Sequence, residues 1–161
     1  GDNIRVSVTV LPATFVKGPP DYEVRLKEAN KLLKLGYQIS LNTDPIILLT
    51  YTVKMYKKII DSIKIHFDYK SPKFHRITIG MLRFGSKNLD NNIRKRHIDL
   101  YGHAQRNMTK VKGDEKYRYD RDKRVAIYKD LVKYIQTEMP GIEVELSTEP
   151  VDVWTDVGLT P

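Results

Sequence analysis

A ten-residue stretch in the middle of the chain, residues 75–84 (HRITIGMLRF), limits the possible folds more than any other. Polar or small residues alternate in it with Ile77, Ile79 and Met81, and the polar runs SPKFH and GSKN flank it. An alternating, β-branched core of this kind predicts a buried strand. Because segments with helical spacing lie on both sides of it in the sequence, we expect this strand in the middle of a sheet.

Strands and helices alternate along the rest of the chain. Three further strands are predicted at residues 4–10, 37–41 and 143–146, and three long helices at about 21–36, 50–63 and 122–139. Gly36 is the predicted C-cap of the first helix. The order β-α-β-α-β predicts the α/β class: a parallel sheet with right-handed crossovers in a single domain spanning 1–161.

The less regular segments carry weaker predictions. Residues 42–45 (NTDP) are predicted as a loop, 88–97 as a short charged helix and 150–159 as an amphipathic tail. Between residues 97 and 120 only short β-like pieces such as HIDLYGH and KYRY are expected. Four parallel strands are few, and the strand at 4–10 would leave one sheet edge unpaired. We therefore expect this chain to form part of a larger sheet.

Positive charge is concentrated in one segment. The 161-residue chain has a net charge of +8, and residues 94–124 hold eleven Lys or Arg against five Asp or Glu. Tyrosines, Gln105 and Asn107 are interleaved with these cations, a combination that suits phosphate contact and base stacking. We predict that 94–124 is a basic insert and that 116–121 is a hairpin arm in it. The alternative, a solvated charged surface, remains open.

Several classes of site are excluded or disfavoured by the composition. The chain has no cysteine, so it contains neither disulfides nor thiolate-held metals. His66, His75, His97 and His103 lack metal-ligand spacing, and no Gly-rich phosphate loop or nucleophile elbow is present. No stretch is apolar enough for a membrane span, so we expect a cytoplasmic protein without a membrane partner.

Polar residues at the carboxyl ends of the strands are a second candidate site, because ligands bind there in parallel α/β sheets. The segment 42–45 could hold a ribose or an amino-acid group, although an Asx turn before proline is the favoured explanation. Ser7 and Thr9 lie on the strand face opposite the valines.

An ordered set of segments resembles the C-terminal half of the spore photoproduct lyase family, in the radical S-adenosylmethionine superfamily. The set comprises RVSVTV, FVKGPPDYEVRLKEANKLLKLGY, DPII, ITIGMLRF, KYRYD, RVAIYKDLVKYI and VELSTEPVDVW, and it covers nearly the whole chain. The resemblance implies half of a partial (β/α)6 barrel, which would account for an unpaired first strand. It also implies repair of a thymine lesion in DNA by radical chemistry that needs S-adenosylmethionine and a [4Fe–4S] cluster.

The resemblance also assigns residues. Ser7 or Thr9 would face the ribose of S-adenosylmethionine, and Asn42, Thr43 and Asp44 its adenine or methionine portion. A DNA-contacting hairpin would lie at 116–119. Together with the basic segment, the residues predicted to contact DNA are Arg83, Arg106, Lys116, Tyr117, Arg118, Tyr119 and Arg121.

This chain departs from the family at the [4Fe–4S] cluster. Family members hold that cluster with three cysteines in their N-terminal half, and this chain has no cysteine. The leading hypothesis is therefore part of a radical enzyme, not catalytic in isolation, whose cluster comes from a cysteine-bearing half or subunit. In the absence of that partner, self-association is expected. A stand-alone nucleic-acid-binding module is the main alternative, and a basic domain that binds only protein is another.

Overall fold

The computed structural model describes residues 4–12, 21–85, 94–96, 98–110, 113 and 116–161. In chain order its elements are β1 (Arg5–Thr9), α1 (Tyr22–Lys34), β2 (Gln38–Ile46), α2 (Thr52–His66), β3 (Phe74–Met81), β4 (Arg83–Gly85), α3 (Arg94–Arg96), α4 (Ile98–Asn107), β5 (Met108–Lys110), β6 (Lys116–Tyr119), α5 (Arg121–Glu138), β7 (Glu143–Leu146) and α6 (Val151–Val157).

Four strands form a parallel sheet in the order β1-β2-β3-β7. The register pairs Thr9 with Asn42, Asn42 with Thr78 and Thr78 with Glu145, so these residues form one row across the sheet. The β-α-β alternation of the sequence thus predicted the parallel sheet and its α/β class correctly. As expected, β3 is a central strand.

The helices pack on one face of this sheet. Apolar side chains of β2, β3 and β7 point to that face and are buried against α1, α2 and α5. On β3, Ile77 is 0% and Ile79 2% exposed. They line a small gap with Leu131 and Ile135 of α5, which places α5 directly over the strand. Burying each such side chain away from water adds about 1.5–3 kcal/mol to the free energy of unfolding.

Helix ends follow local sequence chemistry. Gly36 adopts φ +98° just after α1, where its N–H donates to the Leu33 carbonyl, so the predicted stop is confirmed. Helix α5 begins at Arg121, one residue before the prediction, because the Asp120 carboxylate accepts from the N–H groups of Asp122 and Lys123. None of the described helices is long and apolar enough to span a membrane.

Two strand predictions were wrong in their boundaries. Residues 42–45 are not a loop, since β2 continues to Ile46 through a cis Asp44–Pro45 bond and an irregularity in its pairing with β3. The strand predicted at 75–84 is two strands. At Leu82 the chain leaves the parallel sheet, and β4 joins a second sheet instead.

The basic segment contributes to this second, antiparallel sheet, which has the order β4-β6-β5. The predicted strand KYRY is β6, and it pairs with β5 as a hairpin. The β-like prediction for HIDLYGH was wrong where the structure describes it, because residues 98–103 belong to helix α4. Of the helix predicted at 88–97, only 94–96 lie within the described residues, and they are helical. The predicted tail contains helix α6.

Candidate functional site

The face of the parallel sheet opposite the helices is polar. Because strand residues alternate between the two faces, the residues flanking the buried apolar positions point away from the core. Across the four strands these are Ser7, Thr9, Ser40, Asn42, Asp44, Arg76, Thr78, Gly80, Glu143, Glu145 and Ser147. The parallel sheet is therefore covered by helices on one face and carries polar side chains on the other.

An ion pair marks the carboxyl end of this face. Both guanidinium Nη atoms of Arg83 donate to the Asp44 carboxylate at 3.1–3.2 Å, and one also donates to Ser147 Oγ at 3.2 Å. Gly80 lies beneath them, and a Cβ there would be 2.7 Å from Asp44 Cγ and 2.8 Å from Ser147 Cβ. The glycine therefore allows β2, β3 and β7 to bring one polar cluster together, which we call the Asp44–Arg83 node.

Three predicted cofactor residues lie on the same face beside the node. Ser7 is exposed, whereas Thr9 and Asn42 are half-buried and adjacent in the register. Asn42 Oδ1 accepts the Asp44 N–H at 2.9 Å, and the Thr9 carbonyl accepts from Arg25 Nη1 at 3.0 Å. Among the described residues, the hydroxyls of Ser7 and Thr9 and the amide nitrogen of Asn42 have no hydrogen-bond partner. These groups are available to a ligand.

Thr43, also predicted to bind the cofactor, points the other way. It is 3% exposed, lines the gap beneath α2 and α5, and donates its hydroxyl to the Thr78 carbonyl at 3.4 Å. The sequence segment 42–45 grouped it with Asn42 and Asp44, but in a strand neighbours point to opposite faces. This placement gives the predicted role of Thr43 no support.

Two of the predicted DNA contacts are buried. Tyr119 is 1% exposed, and its hydroxyl accepts the Leu48 N–H at 3.1 Å and lies 2.8 Å from His103 Nε2. Burial raises the pKa of Tyr119 to about 12. Arg118 is 5% exposed and donates to the Thr148 carbonyl at 3.1 Å. Their burial argues against the predicted DNA contacts, because neither side chain presents a surface on which a base can stack.

The buried Glu149 carboxylate lies next to Arg118 and helps to hold that side chain inside the fold. The Glu149 side chain is 1% exposed, accepts from Arg124 and from Tyr128 Oη at 2.8 Å, and lies 3.9 Å from an Arg118 nitrogen. Burial, with Glu149 close by, raises the pKa of Tyr128 well above its usual range. Breaking such a buried pair costs about 3–5 kcal/mol, because one charge is left without a partner.

The remaining predicted DNA contacts differ in exposure. Arg121 binds the Asp152 and Asp156 carboxylates at 2.8 and 2.6 Å, and its hydrogen bond to Asp152 lowers the pKa of that carboxyl. Arg106 at the end of α4 is exposed, and Lys116 and Tyr117 on β6 are half-buried. Arg106, Lys116 and Tyr117 are the predicted contacts at the second sheet that are neither buried nor paired with Asp44, Asp152 or Asp156, and their role stays a prediction.

Sequence analysis missed a lysine cluster at the start of α2. Lys54, Lys57 and Lys58 line an open cavity whose other walls are the β2–α2 loop and Ile127 of α5. The signal was in the sequence, since KMYKK places these lysines at i, i+3 and i+4 on one helix face. It was overlooked because the largest concentration of charge lies forty residues later.

The fold and this face define the class of protein: an α/β partial barrel that carries its polar groups at the carboxyl ends of parallel strands. Solved structures of spore photoproduct lyase share this fold. A variant with bound AdoMet and dinucleoside spore photoproduct matches with a TM-score of 0.60 and 16% identity, over 87% of this chain and 43% of that chain. A cysteine-to-alanine variant with dinucleoside spore photoproduct matches with a TM-score of 0.63 and 17% identity, over 89% and 45%.

A tyrosine-to-phenylalanine variant of the lyase gives similar values, with a TM-score of 0.62 and 17% identity. The chain therefore spans less than half of the lyase chains that it matches. Neither the protein-family models nor the curated proteins give a match to this sequence. The likeness confirms a partial barrel of the spore photoproduct lyase type, whereas the assignment to the C-terminal half stays a prediction.

Proposed function

We propose that this chain is one part of a radical S-adenosylmethionine enzyme similar to spore photoproduct lyase, the part that completes the S-adenosylmethionine pocket and contacts DNA. One observation carries the proposal. Polar groups that have no hydrogen-bond partner among the described residues lie at the carboxyl end of the sheet face opposite the helices, in a fold shared with a lyase solved with AdoMet and a dinucleoside photoproduct.

The residues on this face fit S-adenosylmethionine. The ligand carries ribose hydroxyls, an amino-acid group and an adenine, so it needs donors and acceptors on an open surface. Thr9 and Asn42 offer a hydroxyl and an amide nitrogen side by side, with Ser7 further along β1. Ser40 Oγ on the same face is buried and has no hydrogen-bond partner among the described residues. In the proposal these residues bind and orient the ligand, while the Asp44–Arg83 node fixes the end of β2.

A [4Fe–4S] cluster does not fit this chain. Such clusters are held by cysteine thiolates, and the sequence has none. No group of three His, Asp or Glu residues is placed to hold a metal in the part of the chain that the structure describes. In the proposal the cluster is therefore held by a cysteine-bearing half or subunit, and no step of the reaction is assigned to this chain beyond binding.

The DNA contact is proposed at the second sheet. Arg106, Lys116 and Tyr117 present cationic and aromatic surface there, and β4 connects this sheet directly to the end of β3. DNA held at the second sheet would thus lie next to the polar face. The stand-alone nucleic-acid-binding module is the second candidate, favoured by the lack of cysteine.

Native mass spectrometry with iron analysis, on the chain purified from its source cells, tests the proposal. We expect a stoichiometric partner and about four irons per complex. In that complex, Thr9→Val should weaken S-adenosylmethionine binding roughly tenfold in calorimetry, because one hydrogen bond is lost while side-chain volume is kept. Thr109→Val, at an exposed position on β5, is the matched control and should bind normally.

Two results contradict the proposal at different points. An iron-free chain without a partner that still binds DNA would leave the stand-alone module as the function. Equal binding of S-adenosylmethionine by Thr9→Val and Thr109→Val would exclude the assigned position of the pocket while leaving the partnership intact.

A further inference from the structure

A cavity of about 590 Å³ opens where the β2–α2 loop meets the start of α2. Its apolar walls come from Leu48, Leu49 and Ile127, and Tyr51 at its rim is 68% exposed. The Thr52 hydroxyl fixes the loop, because it donates to the Ile47 or Leu49 carbonyl and accepts the Leu49 N–H at 2.6 Å. The cavity is thus a preformed surface feature.

The cavity carries concentrated positive charge. Lys54 and Lys58 are exposed and Lys57 half-buried, and none has a carboxylate within 4.0 Å among the described residues. Asp61, which also lines the cavity, accepts a hydrogen bond from Tyr134 Oη at 2.7 Å. Lys57 lies over the Tyr134 ring at 5.0 Å.

Some other cations of the chain are neutralised internally. Lys31 pairs with Glu28, Lys64 with Glu138 and Arg121 with two aspartates. Three lysines without such partners repel one another, and a bound polyanion relieves that repulsion. The first turn of α2 carries no acidic residue that would oppose an anion.

Each part of the cavity suits one part of a nucleic acid. Lysine ammonium groups contact phosphates as point charges, and three of them within two helical turns can follow successive phosphates. An exposed tyrosine beside an apolar wall is a platform for a base. The loop that forms the cavity follows Ile46 directly, so it lies at the same edge of the sheet as the Asp44–Arg83 node.

We propose that this cavity binds the backbone of a DNA strand, with Lys54, Lys57 and Lys58 on its phosphates and Tyr51 against a base. The inference rests on the proposed function and adds to it a second DNA surface, on the outer side of the partial barrel. A strand that reaches the polar face continues over the β2–α2 loop to this cavity.

Fluorescence anisotropy with a labelled single-stranded oligonucleotide and its duplex tests this surface. The variant K54Q/K57Q/K58Q is compared with K27Q/K31Q/K34Q, which removes three charges from exposed positions on α1. Each variant loses three positive charges, so the two variants have the same net charge as each other. We expect the cavity variant to lose at least tenfold in affinity and to lower the salt slope by roughly 2 to 3, since each phosphate contact contributes about 0.7–0.9. The α1 variant should lose less than about threefold.

Tyr51 provides a separate readout. Tyr51→Ala should weaken single-strand binding by roughly 5- to 100-fold, as expected for a lost stacking contact, and Tyr51→Phe should restore it. Thermal unfolding midpoints verify that all variants are folded.

The outcomes separate the two proposals. Equal losses in both triple variants would mean that net charge alone matters, and would overturn the cavity while leaving DNA binding intact. A wild-type protein that binds neither oligonucleotide would overturn both the cavity and the DNA part of the proposed function.

Discussion

At the scale of single residues, Gly80 determines how closely three strands approach. Its position on β3 lies under the carboxylate of Asp44 and the side chain of Ser147, and both lie where a Cβ would need space. Arg83 holds Asp44 in place with two nitrogens, so the carboxylate cannot move without losing those hydrogen bonds. The absence of a side chain at this one position is therefore a condition for the node.

Gly80→Ala is expected to destabilise the protein by about 1–3 kcal/mol, the usual range for overpacking a close-packed site. The methyl group would be placed 2.7 Å from Asp44 Cγ, which must shift away from Arg83. Urea unfolding followed by circular dichroism measures the change in the free energy of unfolding.

Gly85→Ala is the matched control for this substitution. A Cβ at Gly85 meets no atom within 4 Å, and its φ lies outside the left-handed region. This variant should be neutral or more stable by up to about 1 kcal/mol, because alanine restricts the unfolded chain. Equal stability of the two variants would mean that the node tolerates the methyl group.

Arg83 shows what the sequence could not reveal about single residues. Its position at the end of a buried strand was predicted, and a DNA contact was inferred from its charge. In the fold, the carboxylate of Asp44, 39 residues earlier, engages that charge. A sequence pattern gives the position of a residue in an element, whereas ion pairing depends on which strands lie side by side.

At the scale of elements, regular periodicity identified every long helix and every strand of the parallel sheet, and irregular segments were misjudged. Strand β2 was predicted too short because Asn, Asp and Pro are turn-forming residues. In the structure β2 pairs with β1 up to Asn42 and with β3 up to Ile46, so residues 42–45 stay extended. Helix α4 was missed because Gly102 and His103 interrupt its apolar spacing. Its packing on β5 supplies the stability that local propensity lacks.

His103 connects α4 to both sheets and should make that connection sensitive to pH. The Leu48 N–H donates to the Tyr119 oxygen, and His103 Nε2 lies 2.8 Å from the same oxygen. Burial, and then the nearby charge of Arg106, lower the pKa of His103. The unfolded chain therefore takes up a proton on His103 at a higher pH than the folded one.

It follows that His103 stabilises the fold fully above the ordinary histidine pKa of about 6.5, and that this stability is lost as the pH falls through the folded pKa. We expect the difference in unfolding free energy between wild type and His103→Gln to shrink as the pH is lowered below about 6.5. Urea titrations at several pH values measure it. A difference that stays constant would mean that His103 does not change its charge on unfolding.

At the scale of the whole molecule, β1 forms one edge of the parallel sheet among the described residues. Among the described residues β1 pairs only with β2, and the bonds from Gln38 N to the Ile4 carbonyl and from Val10 N to the Asn42 carbonyl fix which residues face inward. In a parallel ladder, alternate residues bond to the same neighbour. The N–H groups of Arg5, Ser7 and Thr9 therefore point to the outer edge.

An edge of this kind is a template for another strand, either from a cysteine-bearing half or from a second copy of this chain. Ser7→Pro removes an outward N–H without removing a bond to β2, a substitution that edge strands tolerate. We expect Ser7→Pro to weaken association at least tenfold in sedimentation equilibrium while the chain stays folded by circular dichroism.

Ser7→Ala keeps the N–H and removes only the hydroxyl, so it should associate normally and bind S-adenosylmethionine less tightly. This pair of variants separates the two roles proposed for Ser7, in which its backbone N–H pairs with another strand and its hydroxyl faces the cofactor. If Ser7→Pro associates as well as wild type, no second strand extends the sheet at β1.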